Sequence, residues 1–370
     1  EELLKKRTEG MMQPQLKEKI IKQTKRQFPG GIDSYGTDAL RYTYYSLASP
    51  GRDINFDIGR IKGYRNFCNK IWNAFRFIEM QAANHDYQNT KPQSDALSEW
   101  MAQKIFQSSL NCKSHIETYR FDLAAAEIYE LVWSNFCDWY IELSKVAIQK
   151  SEDPAVTADL IGNLFKNFES ILKLLHPFMP FISEELFAKI NSIKGLDESQ
   201  FLVEIGFDEL EASKDSEVDE IISIISEIRI IRGENTNIKD ETLHLVLSGD
   251  IPPALKAVIT QFEQVICKIA KLDAIELNNN EYEESIEKTM VGYKIIIPLT
   301  GLIDPQEELA RLQKDLSGID NDIKIIGSKL ENEQFISKAP EAVIQKEKEK
   351  IAEAENKKLM LEKSIAKLQS

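Results

Sequence analysis

The stretch from Gly59 to Ile78, GRIKGYRNFCNKIWNAFRFI, constrains the fold most, because at about 100° per residue it resolves into two helical stripes. Phe67, Ile71, Ala74 and Ile78 form a narrow apolar stripe, the mark of a helix edge turned to a core. Asn66, Lys70, Asn73 and Phe77 form a second stripe about a quarter-turn away, carrying two amides, a cation and an aromatic ring. Amides read base edges, a cation meets phosphate and a ring stacks on an unpaired base, so this stripe has the chemistry of single-stranded RNA recognition. The competing reading is a solvated polar face with Phe77 covered by a neighbouring helix. Spacing alone leaves both open.

The flanking sequence is mostly helical as well. Residues 1–30 are basic and predict a helix ended by the Pro29-Gly30-Gly31 turn, and Thr37 or Asp38 is placed to cap a short helix running to Leu47. From Ser94 to about Lys194 the periodicity is helical and rich in aromatics; Ile128, Leu131, Phe136, Trp139 and Leu143 read as core and as the wall for Phe67 and Ile71. A further amphipathic helix spans Val218 to Arg232, with Ile221, Ile225, Ile228 and Ile231 inward and Arg229 and Arg232 outside that stripe, solvated or facing RNA. Alternation then predicts strands at 242–247, 274–277 and 291–299 around a helix at 252–270, a small α/β unit. Leu309, Leu312, Leu316, Ile319, Ile323, Ile326 and Leu330 make an unbroken heptad seam. A second, interrupted seam from Ile344 to Leu368 follows Pro340, which predicts an antiparallel coiled-coil hairpin with arms about 40 Å long.

At 370 residues the chain exceeds one ordinary core, and its net charge of -14 argues against a protein coated with nucleic acid. The charge is uneven: residues 1–78 hold 15 Lys or Arg against 8 Asp or Glu, which suggests local contact with a polyanion. The 4 cysteines form no CxxC pair, so neither a disulfide framework nor a zinc site is indicated; Cys68 and Cys137 read as small buried hydrophobes in a reducing, cytoplasmic protein. No apolar run is long enough to cross a membrane. His176 lacks a partner nucleophile or acid in any recognisable motif and reads as a structural histidine at a helix end. The chain begins without Met at Glu1-Glu2-Leu3-Leu4, which suggests a piece of something longer.

The run GTDALRYTYYSLASPGRDINFDIGRIKGYRNFCNKIWNAFRF resembles the segment that follows the active site in the valyl-tRNA synthetase family, of the class I aminoacyl-tRNA synthetases. HPFMPF, at 176–181, resembles a phrase shared with the isoleucyl and leucyl members, whereas GLIDPQEELARL and FISKAPEAV resemble the carboxyl-terminal arm specific to the valyl family. The resemblance implies a helical anticodon-binding domain in which Lys70, Asn73 and Phe77 contact the anticodon, with Asn66 added on periodicity alone. It also implies an arm lying against the outer corner of tRNA. Arg52, Arg311, Lys314 and Lys338 are candidate phosphate contacts, and Trp139 or Tyr140 could border the anticodon pocket although a core role weighs more.

The expectation is thus a mainly α chain. Residues 1–55 form a basic linker, 56–235 a helical-bundle anticodon-binding domain, 236–300 a small α/β subdomain and 301–370 the coiled-coil arm. The HIGH and KMSKS motifs and the editing residues are absent from these 370 residues, so the resemblance places valine, ATP and magnesium on a catalytic domain upstream. No metal or catalytic residue is expected here. Valine tRNA is the expected partner of a monomer, and the rival readings are a free-standing RNA-binding module or a coiled-coil scaffold.

Overall fold

Phe67, Ile71, Ala74 and Ile78 all lie buried on one helix, α4 (Ile58–Asn84), as their spacing predicts. Asp57 caps it, accepting from the Gly59 backbone N–H at 2.8 Å. In the computed structural model the described residues are 1–31, 33–51, 56–85, 87, 91–197, 199–205, 217–235, 238–280, 282, 284–299, 305–331, 345–347, 349–351, 354–355, 357–359 and 362. The chain is mostly helical with one small mixed sheet, and it divides into two compact units, Glu1–Ser216 and Glu217–Ser370.

In the first unit the basic amino-terminal segment forms two helices rather than the single one predicted, α1 (Glu2–Thr8) and α2 (Lys17–Gln27). Gly10 at φ 68° and Pro14, which has no N–H to donate, separate them. The helix α3 (Thr37–Leu47) begins after Gly36, with neither Thr37 nor Asp38 capping it. Asp38 instead serves a helix far along the chain, α9 (Pro180–Lys194), accepting from the backbone N–H of Phe181 (3.3 Å) and Ile182 (2.7 Å). Pro180 occupies the first turn of α9, and the carboxylate answers two of the orphan donors that every helix start exposes.

The bundle continues through α5 (Ala96–Glu117), capped by Asp95 and Ser98, and α6 (Phe121–Glu130). A π-helical stretch, Leu131–Tyr140, joins α6 to α7 (Ile141–Lys150) with helical backbone at both junctions. The helix α8 (Pro154–Leu175) is buried along most of its length and stacks Phe168 on Phe75 and Phe136. His176 just after it bonds Ser183 Oγ through Nδ1 at 2.8 Å, the structural role expected of it.

The second unit opens with α10 (Val218–Glu234), which packs on α11 (Pro253–Ala270). The strands β1 (Leu243–Gly249), β2 (Leu272–Leu277), β3 (Ser285–Thr289) and β4 (Tyr293–Pro298) form one sheet in the order β2-β1-β4-β3. β1 and β2 are parallel, linked by α11, while β4 is antiparallel to β1 and β3. The sequence reading missed β3, SIEKT, whose charged residues belong to an edge strand.

Arg232, predicted outside the apolar stripe, is only 8% exposed. It lies four residues after Ile228 and seven after Ile225, on the stripe itself, and its guanidinium donates to the carbonyls of Ile238, Lys239, Glu241, Ala270 and Lys271 at 2.7–3.2 Å. It is a structural cation, held by the protein's own backbone. Beyond the sheet, α12 (Pro305–Glu331) carries the first heptad seam, and the described residues between 345 and 362 are helical. Lys358 Nζ reaches Asp320 Oδ1 on α12 at 2.7 Å.

Asp38 is 7% exposed, and burial raises its pKa despite the two N–H bonds. A carboxyl raised in the folded state contributes less stability as pH climbs through the window just above its ordinary value, the reverse of a salt-bridged carboxylate. Asp38→Ala should lower the unfolding free energy by about 1 to 2 kcal/mol in urea titration, and Asp38→Asn, which keeps an acceptor, by less.

Candidate nucleic-acid interface

The second stripe of α4 is partly open to solvent, with its two amides more exposed than Lys70 and Phe77. Asn66 and Asn73 are exposed, and among the described residues neither side chain has a hydrogen-bond partner. Phe77 is half-buried with no ring neighbour among the described residues, so part of its surface is open. Lys70 differs from the other three. Its Nζ lies 4.0 Å from the centre of the Trp133 ring and 2.5 Å from Asp138 Oδ1, which holds the cation between a π face and a carboxylate.

Trp133 and Asp138 both come from the π-helical stretch, and their separation of five residues explains why that geometry matters. Five α-helical residues turn the chain through about 500°, which leaves the two side chains about 140° apart. The wider i to i+5 turn of a π-helix brings them to one side, where both reach Lys70. Trp133 also stacks on Tyr129, centroids 5.4 Å apart and planes at 13°, and Tyr129 lies 4.8 Å from the Phe67 ring. A continuous set of rings therefore runs from the buried stripe of α4 to the cation on its exposed stripe.

Neither Trp133 nor Asp138 was singled out from sequence, because the reading assumed an α period through 131–140. Tyr140 is buried and its hydroxyl accepts from Asn167 at 3.0 Å, which makes it core; Trp139 is half-buried. Arg52 and Lys338 lie outside the described residues, as does the side chain of Arg311, whose backbone is in α12. Lys314 is exposed on α12, and Arg229 is exposed on α10. Burial pushes the Cys68 thiol up to about 11 and the Cys112 and Cys137 thiols up to about 12, so none supplies a thiolate near neutral pH. Among the described residues no cluster of His, Cys, Asp or Glu could hold a metal ion, and no helix is long and apolar enough to cross a membrane.

Comparison with known proteins matches residues 98–247 to a family described as the anticodon-binding domain of tRNA ligase. Residues 304–369 match one described as the valyl tRNA synthetase tRNA binding arm. With the helical bundle and the polar face of α4, these define part of an aminoacyl-tRNA synthetase. A valine–tRNA ligase of Legionella pneumophila (strain Lens) is 37% identical over 364 residues, covering 95% of this chain. One of Francisella tularensis subsp. tularensis (strain SCHU S4 / Schu 4) is 38% identical over 360 residues, again covering 95%. Over nearly its whole length the chain thus corresponds to the carboxyl-terminal portion of valyl-tRNA synthetases. It spans 39% and 38% of the length of those two relatives.

The inner and outer parts of this ring set should respond differently to substitution. Phe67→Ala, which empties a fully buried site, should cost about 3 to 5 kcal/mol in chemical denaturation. Asp138→Asn should cost less than about 1 kcal/mol, since the Asp138 side chain is 49% exposed and its ion pair with Lys70 is screened by solvent.

Proposed function

We propose that this chain is the tRNA-recognition part of a valine–tRNA ligase and that the exposed stripe of α4 reads the anticodon of valine tRNA. The observation that carries the reading is the pair of unpartnered amides, Asn66 and Asn73, set on either side of a cation fixed by Trp133 and Asp138. Asn73 offers a base-edge contact, Lys70 a phosphate or base-carbonyl contact, and Phe77 a stacking surface; Asn66 extends the same face. The family match supports it, although α4 precedes the segment matched to the anticodon-binding domain. Ligation of valine, with ATP and magnesium, belongs in this reading to the longer protein of which the relatives are examples.

The segment 304–369 is assigned the tRNA body, as an antiparallel coiled-coil arm whose second strand returns along α12. The pairing of Lys358 with Asp320 supports that return, since the two residues lie 38 positions apart in sequence. Arg311, Lys314 and Lys338 are the assigned phosphate contacts of the arm and Arg52 that of the linker.

Stacking on an aromatic side chain is worth about 1 to 3 kcal/mol per base. Phe77→Ala should therefore weaken binding of valine tRNA, or of its anticodon stem-loop, by at least about fivefold to tenfold in a filter or fluorescence titration. Unchanged affinity with an intact circular dichroism spectrum would remove Phe77 from the site. An intramolecular hairpin leaves the chain monomeric, so sedimentation equilibrium should return 42.3 kDa; twice that mass would favour a dimerising coiled coil.

A further inference from the structure

Asp138 holds Lys70 with one carboxylate oxygen, Oδ1, and has a second to offer. Its side chain is 49% exposed, and among the described residues Oδ2 accepts no hydrogen bond. Lys70 is more enclosed. Of an ammonium's three N–H groups one meets Oδ1 and another faces the Trp133 ring, which leaves one for a ligand. A charged acceptor and a charged donor therefore stand side by side, one on the π-helical stretch and one on the exposed stripe of α4.

That pairing decides between the two ligands a lysine can take on this face, a phosphate and a base edge. A phosphate on Lys70 would come to rest against the Asp138 carboxylate, like charge against like. A nucleobase is neutral, and its edge sets acceptors beside donors, the complement of this pair. Valine codons begin with guanine and uracil, so base pairing puts a cytosine and an adenine in every valine anticodon. Cytosine carries ring acceptors next to its N4 amine, and that amine is the group a carboxylate accepts from. Adenine matches a side-chain amide better, and Asn66 and Asn73 offer amides on the same face.

We propose that Lys70 and Asp138 together read the cytosine of the valine anticodon, with Asp138 Oδ2 accepting from N4 and Lys70 Nζ donating to the N3 and O2 acceptors beside it. The proposal rests on the assignment of the α4 stripe to the anticodon, and it makes Asp138 a specificity-determining residue of that site. Uracil is rejected at two positions. Its O4 sets a lone pair against the carboxylate, and its N3–H sets a hydrogen against the ammonium.

The test measures binding of the intact chain and of Asp138→Asn to three anticodon stem-loops: that of valine tRNA, one with the cytosine replaced by uracil, and one with the adenine replaced by guanine. Cytosine and uracil are both single rings, so stacking stays comparable and the edge alone changes. The parent should prefer the cytosine loop over the uracil loop by about tenfold or more. In Asp138→Asn, whose amide can turn either its carbonyl or its NH2 to the base, that preference should fall to within about threefold, with the circular dichroism of the parent. Its preference for adenine over guanine should stay parental. Equal loss of both preferences would reduce Asp138 to a support for Lys70 and overturn the base contact. A parental preference for cytosine in the variant would also overturn it while leaving the α4 stripe as the anticodon site. Tighter binding of all three loops by the variant, with a steeper salt dependence, would mean that the carboxylate only screens Lys70 from phosphate, and would overturn the base assignment. If the parent binds none of the loops, the anticodon reading falls together with this one.

Discussion

The contact between Phe67 and the Tyr129-Trp133 stack is the interaction on which the first unit's architecture turns. Phe67 is fully buried, with Tyr42 of α3 at 5.4 Å and Tyr129 of α6 at 4.8 Å, so one ring ties three helices together. Tyr42 is itself anchored, its hydroxyl donating to the Ala125 carbonyl at 2.6 Å. Large aromatic surfaces suit this role because burying them gives a strong, non-directional gain while their edges and faces restrict geometry. Trp133 then shows one face to Tyr129 and meets Lys70 with its π system, so the core and the candidate interface share a side chain. The polar stripe of α4 is thereby held at the rigidity of the core.

Much of this was legible from the chain. The stripe on α4 was, since 3.6-residue periodicity and burial are the same fact seen in two ways, and the amides turned outward by the same rule. What was not legible depended on distance or on an irregular period. Asp38 looked like a local cap because its sequence neighbours start a helix, yet its N–H partners lie 143 and 144 residues away. Arg232 was assigned outside its stripe although its spacing from Ile225 and Ile228 puts it inside; a charge at a core position discouraged that reading until five carbonyl acceptors explained it. The role of Trp133 and Asp138 could not be seen, because an α period separates what the π turn unites.

The second unit solves a different problem with one residue. The carboxyl end of α11 and the turn from Ile238 to Glu241 both leave backbone carbonyls to be satisfied, and a buried carbonyl without a donor is costly. Arg232 answers both at once with a planar fork of donors, which a lysine's single ammonium could not span. The same arrangement places a permanent positive charge beneath the surface where α10 and α11 meet, in a chain that is otherwise acidic.

The π-helical stretch carries one more consequence, for the lengths of chain this fold can tolerate. An α-helix absorbs substitutions along its surface, but removing one residue rotates everything beyond the deletion by about 100°. Between Leu131 and Tyr140 such a deletion could be taken up by reverting to the tighter α winding, so the rod from α6 to α7 would survive as a helix. Trp133 and Asp138 would no longer converge, and Lys70 would lose one of its two anchors. A change of length here would spare the helical rod but shift the side chains it carries, the buried Phe136 and Tyr140 as well as Trp133 and Asp138, so core and face are tied to one count of residues.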